Sequence, residues 1–298
     1  MFLFGAGASH GSGDCLPGSP PLGNKLFSEL QKVGGIAASI QGELAELFEK
    51  NFELGMREFH RQQAADSTQF LREMSSYFVQ FSPGPENYYV QLIKGISKGG
   101  RSIVLATTNY DLLIDYAICL AGWKIAYCKR PVERGNLPLL KIHGSINFLP
   151  DLGPGVVFRD VSFSVGETGS NLSTPVRIAQ SRKEIEQFCL HESSLAPAVA
   201  MYAKGKQLLF CPRFIREQQS AFEIEAGLAR RIYVIGLAVN REDAHIWNVL
   251  QRAKATLFYV GKDFEAFEGW RRGVNRKQAF TLAETFEEAL PEISKRLN

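Results

Sequence analysis

The chain has 298 residues, of which 45% are apolar and 22% charged, with a formal net charge of +3. That balance excludes a disordered, collagen-like or coiled-coil chain and allows one large globular domain or two ordinary ones. Lys and Arg fall only in short clusters such as Arg271-Arg272, so nothing favours nucleic-acid binding; no apolar run reaches membrane-span length and MFLFGAGAS has no basic leader, so a cytoplasmic chain without membrane contact is expected.

The first apolar run, Phe2 to Phe4, leads into GAGAS. Short apolar runs bounded by turns suit strands buried on both faces, as in a parallel sheet. Gly5 and Gly7 directly after such a strand permit a tight turn and close backbone approach to a diphosphate, and a following helix start offers N–H groups. The third glycine of the common dinucleotide fingerprint would fall on His10, so the ordinary dehydrogenase motif is missing. A plain connecting turn is an equal reading. Ser9 fits an N-cap hydroxyl, His10 a loop residue, and Asn24 a cap for the helix launched by Pro21-Leu22-Gly23.

Helical spacing follows, in Leu22, Leu26, Leu30 and Val33, then Leu44, Leu47 and Phe48, then Phe70, Leu71, Met74, Tyr77, Phe78 and Phe81. SPGPENYY, from Ser82, interrupts it. The separation from the next strand is too long for a simple βαβ crossover, which predicts a helical insertion beside the sheet.

That next strand, Ile103 to Ala106, runs into TTNYD. Asn109 can donate and accept at once, which suits a ribose hydroxyl or a water, and Asp111 can orient a polar ligand or oppose a developing cation. Both also have plain roles, Asn109 in a turn and Asp111 capping the helix through Leu112, Leu113, Tyr116 and Ala117.

Leu139 to Ile142 forms a third strand and ends at His143-Gly144-Ser145. A lone imidazole beside an apolar strand is usually a core histidine. Parallel strands, however, bring their carboxyl ends to one rim, and there an imidazole is a base suited to neutral pH. Ser145 reads as a turn or cap hydroxyl and Asn147 as a supporting residue. The stretch from Asp151 to Thr174 is expected to be a loop or small hairpin.

Further strands are expected at Leu208 to Phe210, Ile232 to Ile235 and Leu257 to Val260. Gly236 ends the second of these, before Asn240 and Asp243; Asn240 fits a ribose or adenine contact or an ordinary turn, and Asp243 an N-cap. The following helix, 244 to 253, buries Ile246, Trp247 and Leu250. Gly261-Lys262 could close over an adenine, and Phe286, Leu290, Ile293 and Leu297 mark a last helix. The five cysteines are odd in number and form no Cys-x-x-Cys pair, so neither a disulfide framework nor a zinc site is expected.

In order, GAGAS, TTNYD, KIHGS and VIGLAVNREDAHIW resemble a sirtuin-like domain, most closely the bacterial sirtuin-like NAD hydrolases of anti-phage defence. The resemblance implies one domain over 1–298, an α/β fold with a Rossmann-like parallel sheet, a large helical insertion over 24–99 between the first and second strands, and NAD bound across the strand ends. It implies that Gly5, Ala6, Gly7 and Ser9 line the diphosphate and nearby ribose, with Thr108 also among the residues that bind NAD. Asn109 and Asp111 would face the nicotinamide ribose, His143 would be the catalytic imidazole with Gly144 giving the sugar room, and Gly236 and Asn240 would meet the adenosine half.

Two departures matter. Deacylases of the family carry paired Cys-x-x-Cys motifs for a zinc module, absent here, and an Asp-Phe-Arg segment where this chain reads GSPPLGNKL. The implied activity is therefore hydrolysis of the nicotinamide glycosidic bond, with NAD as substrate and no metal, depleting NAD in phage defence. Alternatives are a protein deacylase or ADP-ribosyltransferase, and a non-catalytic nucleotide-binding assembly module. A free NAD hydrolase would harm its host, so the resemblance also implies restraint, by homo-oligomer assembly or by a partner such as a DNA-translocating ATPase.

Overall fold

A computed structural model describes residues 1–96, 103–127, 132–156, 172–192, 194–200, 209–240 and 243–297. The first strand, β1 (Phe2–Phe4), has no polar side chain; its pleat sends Phe2 and Phe4 into one hydrophobic core and Leu3 into another. Such a strand needs a layer on each face, and the chain supplies both.

The short α1 (Ala6–His10) and β2 (Cys15–Leu16) follow. Next come α2 (Gly23–Val33), α3 (Gly35–Ser39), α4 (Gly42–Lys50), α5 (Phe52–Gln62) and α6 (Ala64–Val79). Their apolar stripes meet in a cluster of phenylalanines, where Phe27 and Phe48 stack with ring centroids 4.4 Å apart and Phe59 and Phe70 lie 5.4 Å apart. Leu22, not Asn24, holds the cap position of α2, because the helix already begins at Gly23. Then β3 (Ser82–Pro83) pairs antiparallel with β2, and α7 (Tyr88–Lys94) follows.

The sheet resumes with β4 (Leu105–Thr107), α8 (Leu113–Leu120), β5 (Lys124–Ala126) and β6 (Asn136–Lys141). A separate antiparallel pair, β7 (Phe148–Pro150) and β8 (Val176–Ile178), precedes α9 (Arg182–His191) and α10 (Pro212–Leu228). The last part runs β9 (Arg231–Ile235), α11 (Ala244–Arg252), β10 (Thr256–Val260), α12 (Phe264–Gly273), β11 (Ala279–Ala283) and α13 (Phe286–Leu297).

Seven strands form one parallel sheet in the order β11-β10-β9-β1-β4-β6-β5, flanked by helices, a Rossmann-like α/β arrangement. From central β1 the chain builds outward through β4 and β6, then returns to lay β9 against the other side of β1. The strand order thus reverses between β1 and β9. In open α/β sheets such a reversal leaves a crevice outside the carboxyl ends, where ligands bind.

The edge strands β5 and β11 carry no continuous apolar run, since each is partly exposed. The strand expected at 208–210 is absent from this sheet: Phe210 makes an isolated bridge with Leu172, and Leu208 lies outside the described residues. Most of the loop or hairpin expected between Asp151 and Thr174 also lies outside them. Among the described residues, no helix is long and apolar enough to cross a membrane.

Candidate functional site

A cavity of about 700 Å³ opens where β10, β9, β1, β4 and β6 end, within the size range of small-molecule sites. Ala6, Gly7, Ser9, Thr108, Asn109, Asp111, His143, Gly236 and Asn240 line it, together with Lys262. Gly5 and Gly144 do not. A cavity of about 790 Å³ at the strands' amino ends is lined by Glu225, Arg230, Arg231 and Arg296. It gathers charge, whereas the imidazole, amide and carboxyl chemistry lies at the carboxyl ends.

The glycines hold two loops together. Gly5 N–H donates to Ile235 O at 2.9 Å and Gly7 N–H to Gly236 O at 2.8 Å. A Cβ on Gly5 would lie 2.5 Å from Leu237 Cα, one on Gly7 would lie 2.9 Å from Gly236 O, and one on Gly236 would overlap Ala8 N. Gly236 also has φ +63°, which side chains rarely adopt. The close approach expected for a diphosphate is thus, at Gly5, taken by another stretch of the protein's own backbone.

Asn109 is the knot of this floor. Its Nδ2 donates to Gly5 O at 2.9 Å and to Ser9 Oγ at 2.8 Å, while its own N–H is held by Thr107 Oγ1 at 3.0 Å. Ser9 therefore serves as a hydrogen-bond partner inside α1, not as its cap, and lies 3.1 Å from the Tyr89 hydroxyl. Burial pushes that phenol well above its ordinary pKa, and the charge of Asp111 adds to the effect. Tyr89 stays protonated.

Asp111 accepts from Leu113 N–H at 3.0 Å, a capping bond although Leu112 holds the formal cap position. Burial raises its carboxyl pKa, opposed by the Lys141 charge, the Leu113 N–H and Ser9. The Lys141 side chain is wholly buried, and its Nζ donates to Asp111 O at 2.6 Å and Asp115 Oδ2 at 2.9 Å. The Tyr127 hydroxyl donates to Asp115 Oδ1, and Asn147 Nδ2 donates to Tyr127 at 3.1 Å. One cation from β6 thereby ties α8 to the loop carrying Asp111.

His143 follows the end of β6 and is 2% exposed. Its Nε2 lies 3.0 Å from His245 Nε2 and 3.6 Å from Asp243 Oδ1. Asp243 sits at the cap position of α11 but makes no capping bond with its side chain. It faces His143 instead. At φ +82°, the missing Cβ of Gly144 makes room for the Ala198 carbonyl, because the segment around Val199 bridges to it. Ser145 Oγ points to Tyr110 O at 3.4 Å.

Sequence reading missed His245, Tyr89 and the Lys141–Asp115 pair. The first had a signal, since Asp243-Ala244-His245 places a carboxylate and an imidazole two residues apart where a helix starts. Tyr89 had none, because it is brought to Ser9 by packing across 80 residues of chain. No family model matches the chain, and no curated protein does.

Proposed function

We propose that this chain is a sirtuin-like NAD hydrolase that releases nicotinamide and ADP-ribose. The observation that carries the reading is the meeting of Asn109, Asp111 and His143 on one cavity at the strand-order reversal. Breaking the nicotinamide bond leaves oxocarbenium character on the ribose, and the leaving nitrogen needs no proton because it starts as a cation. The residues need only to position the sugar, oppose the positive charge and take a proton from water.

In this reading Asn109, its Nδ2 held by Gly5 O and Ser9 Oγ, offers Oδ1 to the ribose or the attacking water. Asp111 supplies negative character close to the sugar, balanced from behind by Lys141. His143 accepts the water's proton at Nε2, so His245 must yield that nitrogen at the moment of reaction. Ala6, Gly7 and Ser9 would meet the diphosphate side of NAD, and Gly236 and Asn240 the adenosine half. The chain is then a single cytoplasmic domain without a zinc module, with 24–99 as a helical insertion beside the sheet. Its activity in phage defence is held in check by homo-oligomer assembly or by a partner such as a DNA-translocating ATPase.

The test is nicotinamide release from NAD by purified protein, followed across protein concentration and with an acylated peptide added or omitted. Peptide-independent ADP-ribose production is expected. His143→Ala should lose about 10²- to 10⁴-fold in turnover. Asn109→Ala should lose turnover and also melt earlier, by roughly 1–3 kcal/mol, since Gly5 O and Ser9 Oγ lose a donor. Wild-type rates in both folded variants would sink the mechanism; strict peptide dependence would favour transfer over hydrolysis.

A further inference from the structure

We propose that His143, Asp243 and His245 form a binding site for a divalent transition metal ion of the zinc class, opening onto the cavity. Their three ligand atoms lie within 4.8 Å of one another. An ion with ligands at about 2.0–2.2 Å in a tetrahedral array sets those ligands about 3.3 Å apart. The observed separations, 3.0 Å between the two Nε2 atoms and 3.6 Å from His143 Nε2 to Asp243 Oδ1, lie on either side of that value. Small side-chain adjustments would place one ion within reach of all three.

The chemistry of the set selects the ion. Two imidazoles and one carboxylate suit zinc and its first-row neighbours, while magnesium and calcium prefer all-oxygen shells. His143 is fixed by the turn after β6, whereas Asp243 and His245 stand at the start of the nine-residue α11. With three protein ligands, a tetrahedral ion keeps a fourth position, and His143 and Asp243 both face the cavity from which a water or ligand would reach it.

The consequence is regulatory and rests on the hydrolase reading. A metal on His143 Nε2 occupies the lone pair that would accept the water's proton, so ion and catalysis exclude each other. Loading the site switches NAD cleavage off.

The experiment uses the full chain freed of metal with a chelator, then titrated with Co²⁺ and competed with Zn²⁺. One saturable Co²⁺ site is expected, with the visible absorption of tetrahedral nitrogen and oxygen ligation. His245→Ala and Asp243→Asn, both checked for native circular dichroism, should each weaken it more than about 100-fold, beyond the loss typical of an outer-shell change. No saturable binding, unchanged affinity in both variants, or a sulfur-to-metal charge-transfer band from Cys15, Cys119, Cys189 or Cys211 would overturn the site. In the wild type, saturating Zn²⁺ should lower nicotinamide release at least about 10-fold, reversibly on chelation. Undiminished cleavage by the loaded protein would overturn the switch. Metal bound at the triad with no cleavage in either state would leave the site standing and overturn the hydrolase reading.

Discussion

Asp111 shows how a buried carboxyl trades stability for chemistry. Burial raises its pKa, so the folded state resists its ionisation. A group of this kind contributes stability that is fully present below the ordinary carboxylate pKa of about 4 and is lost as pH rises through the folded value. Asp111→Asn keeps an acceptor for Leu113 N–H and removes the charge. It should therefore melt above the wild type near neutral pH, with the gap closing as pH falls toward about 4, while NAD cleavage declines. Melting curves across pH decide this, and a lower melting temperature near neutrality would contradict it. Neither the burial of Asp111 nor Lys141 behind it could be read from TTNYD. Both depend on α8 and β6 closing over the loop.

At the scale of the elements, β6 and α8 are joined by a buried ion pair rather than by apolar packing alone. Lys141→Met should strand Asp115 without its cation and destabilise the fold by about 3–5 kcal/mol. The double variant Lys141→Met, Asp115→Leu should recover much of that, since replacing both charges leaves neither unpaired. Urea denaturation of the three proteins measures the coupling, and equal losses in the single and double variants would argue against it. The strands β1, β4, β6, β9 and β10 were legible as apolar runs because they are buried on both faces. The edge strands β5 and β11 were not, because partial exposure mixes polar residues such as Lys124 and Thr281 into them. Asp243 was read as a helix cap, which its position supports. Its orientation toward His143 depends on β6 and α11 meeting across 100 residues of chain, and no local pattern encodes that.

For the whole molecule, the reversal of strand order between β1 and β9 explains why residues from distant parts of the chain share one cavity. The ordered strand-end motifs point to that rim, and a cavity lies there; its contacts had no local signal. Occupancy should register in global stability. In His143→Ala, which leaves the floor of the cavity intact, NAD at about 100 times its Kd should add about 2.7 kcal/mol and raise Tm by several degrees. Calorimetry with and without NAD checks it; no shift at millimolar NAD would count against NAD as the ligand.

The glycine contact between the β1 and β9 loops also divides the cavity by how freely it can evolve. Around Gly5, Gly7 and Gly236 its floor is backbone seated on backbone, tied by the Asn109 side chain, whereas the rim is built from exposed or half-exposed side chains such as Asn24, Asn240 and Lys262. In a library of all single substitutions sorted for folded protein, positions 5, 7 and 236 should admit almost nothing, and positions 24, 240 and 262 should admit most residues. New ligand preferences would then arise from the rim alone, on a template that stays the same.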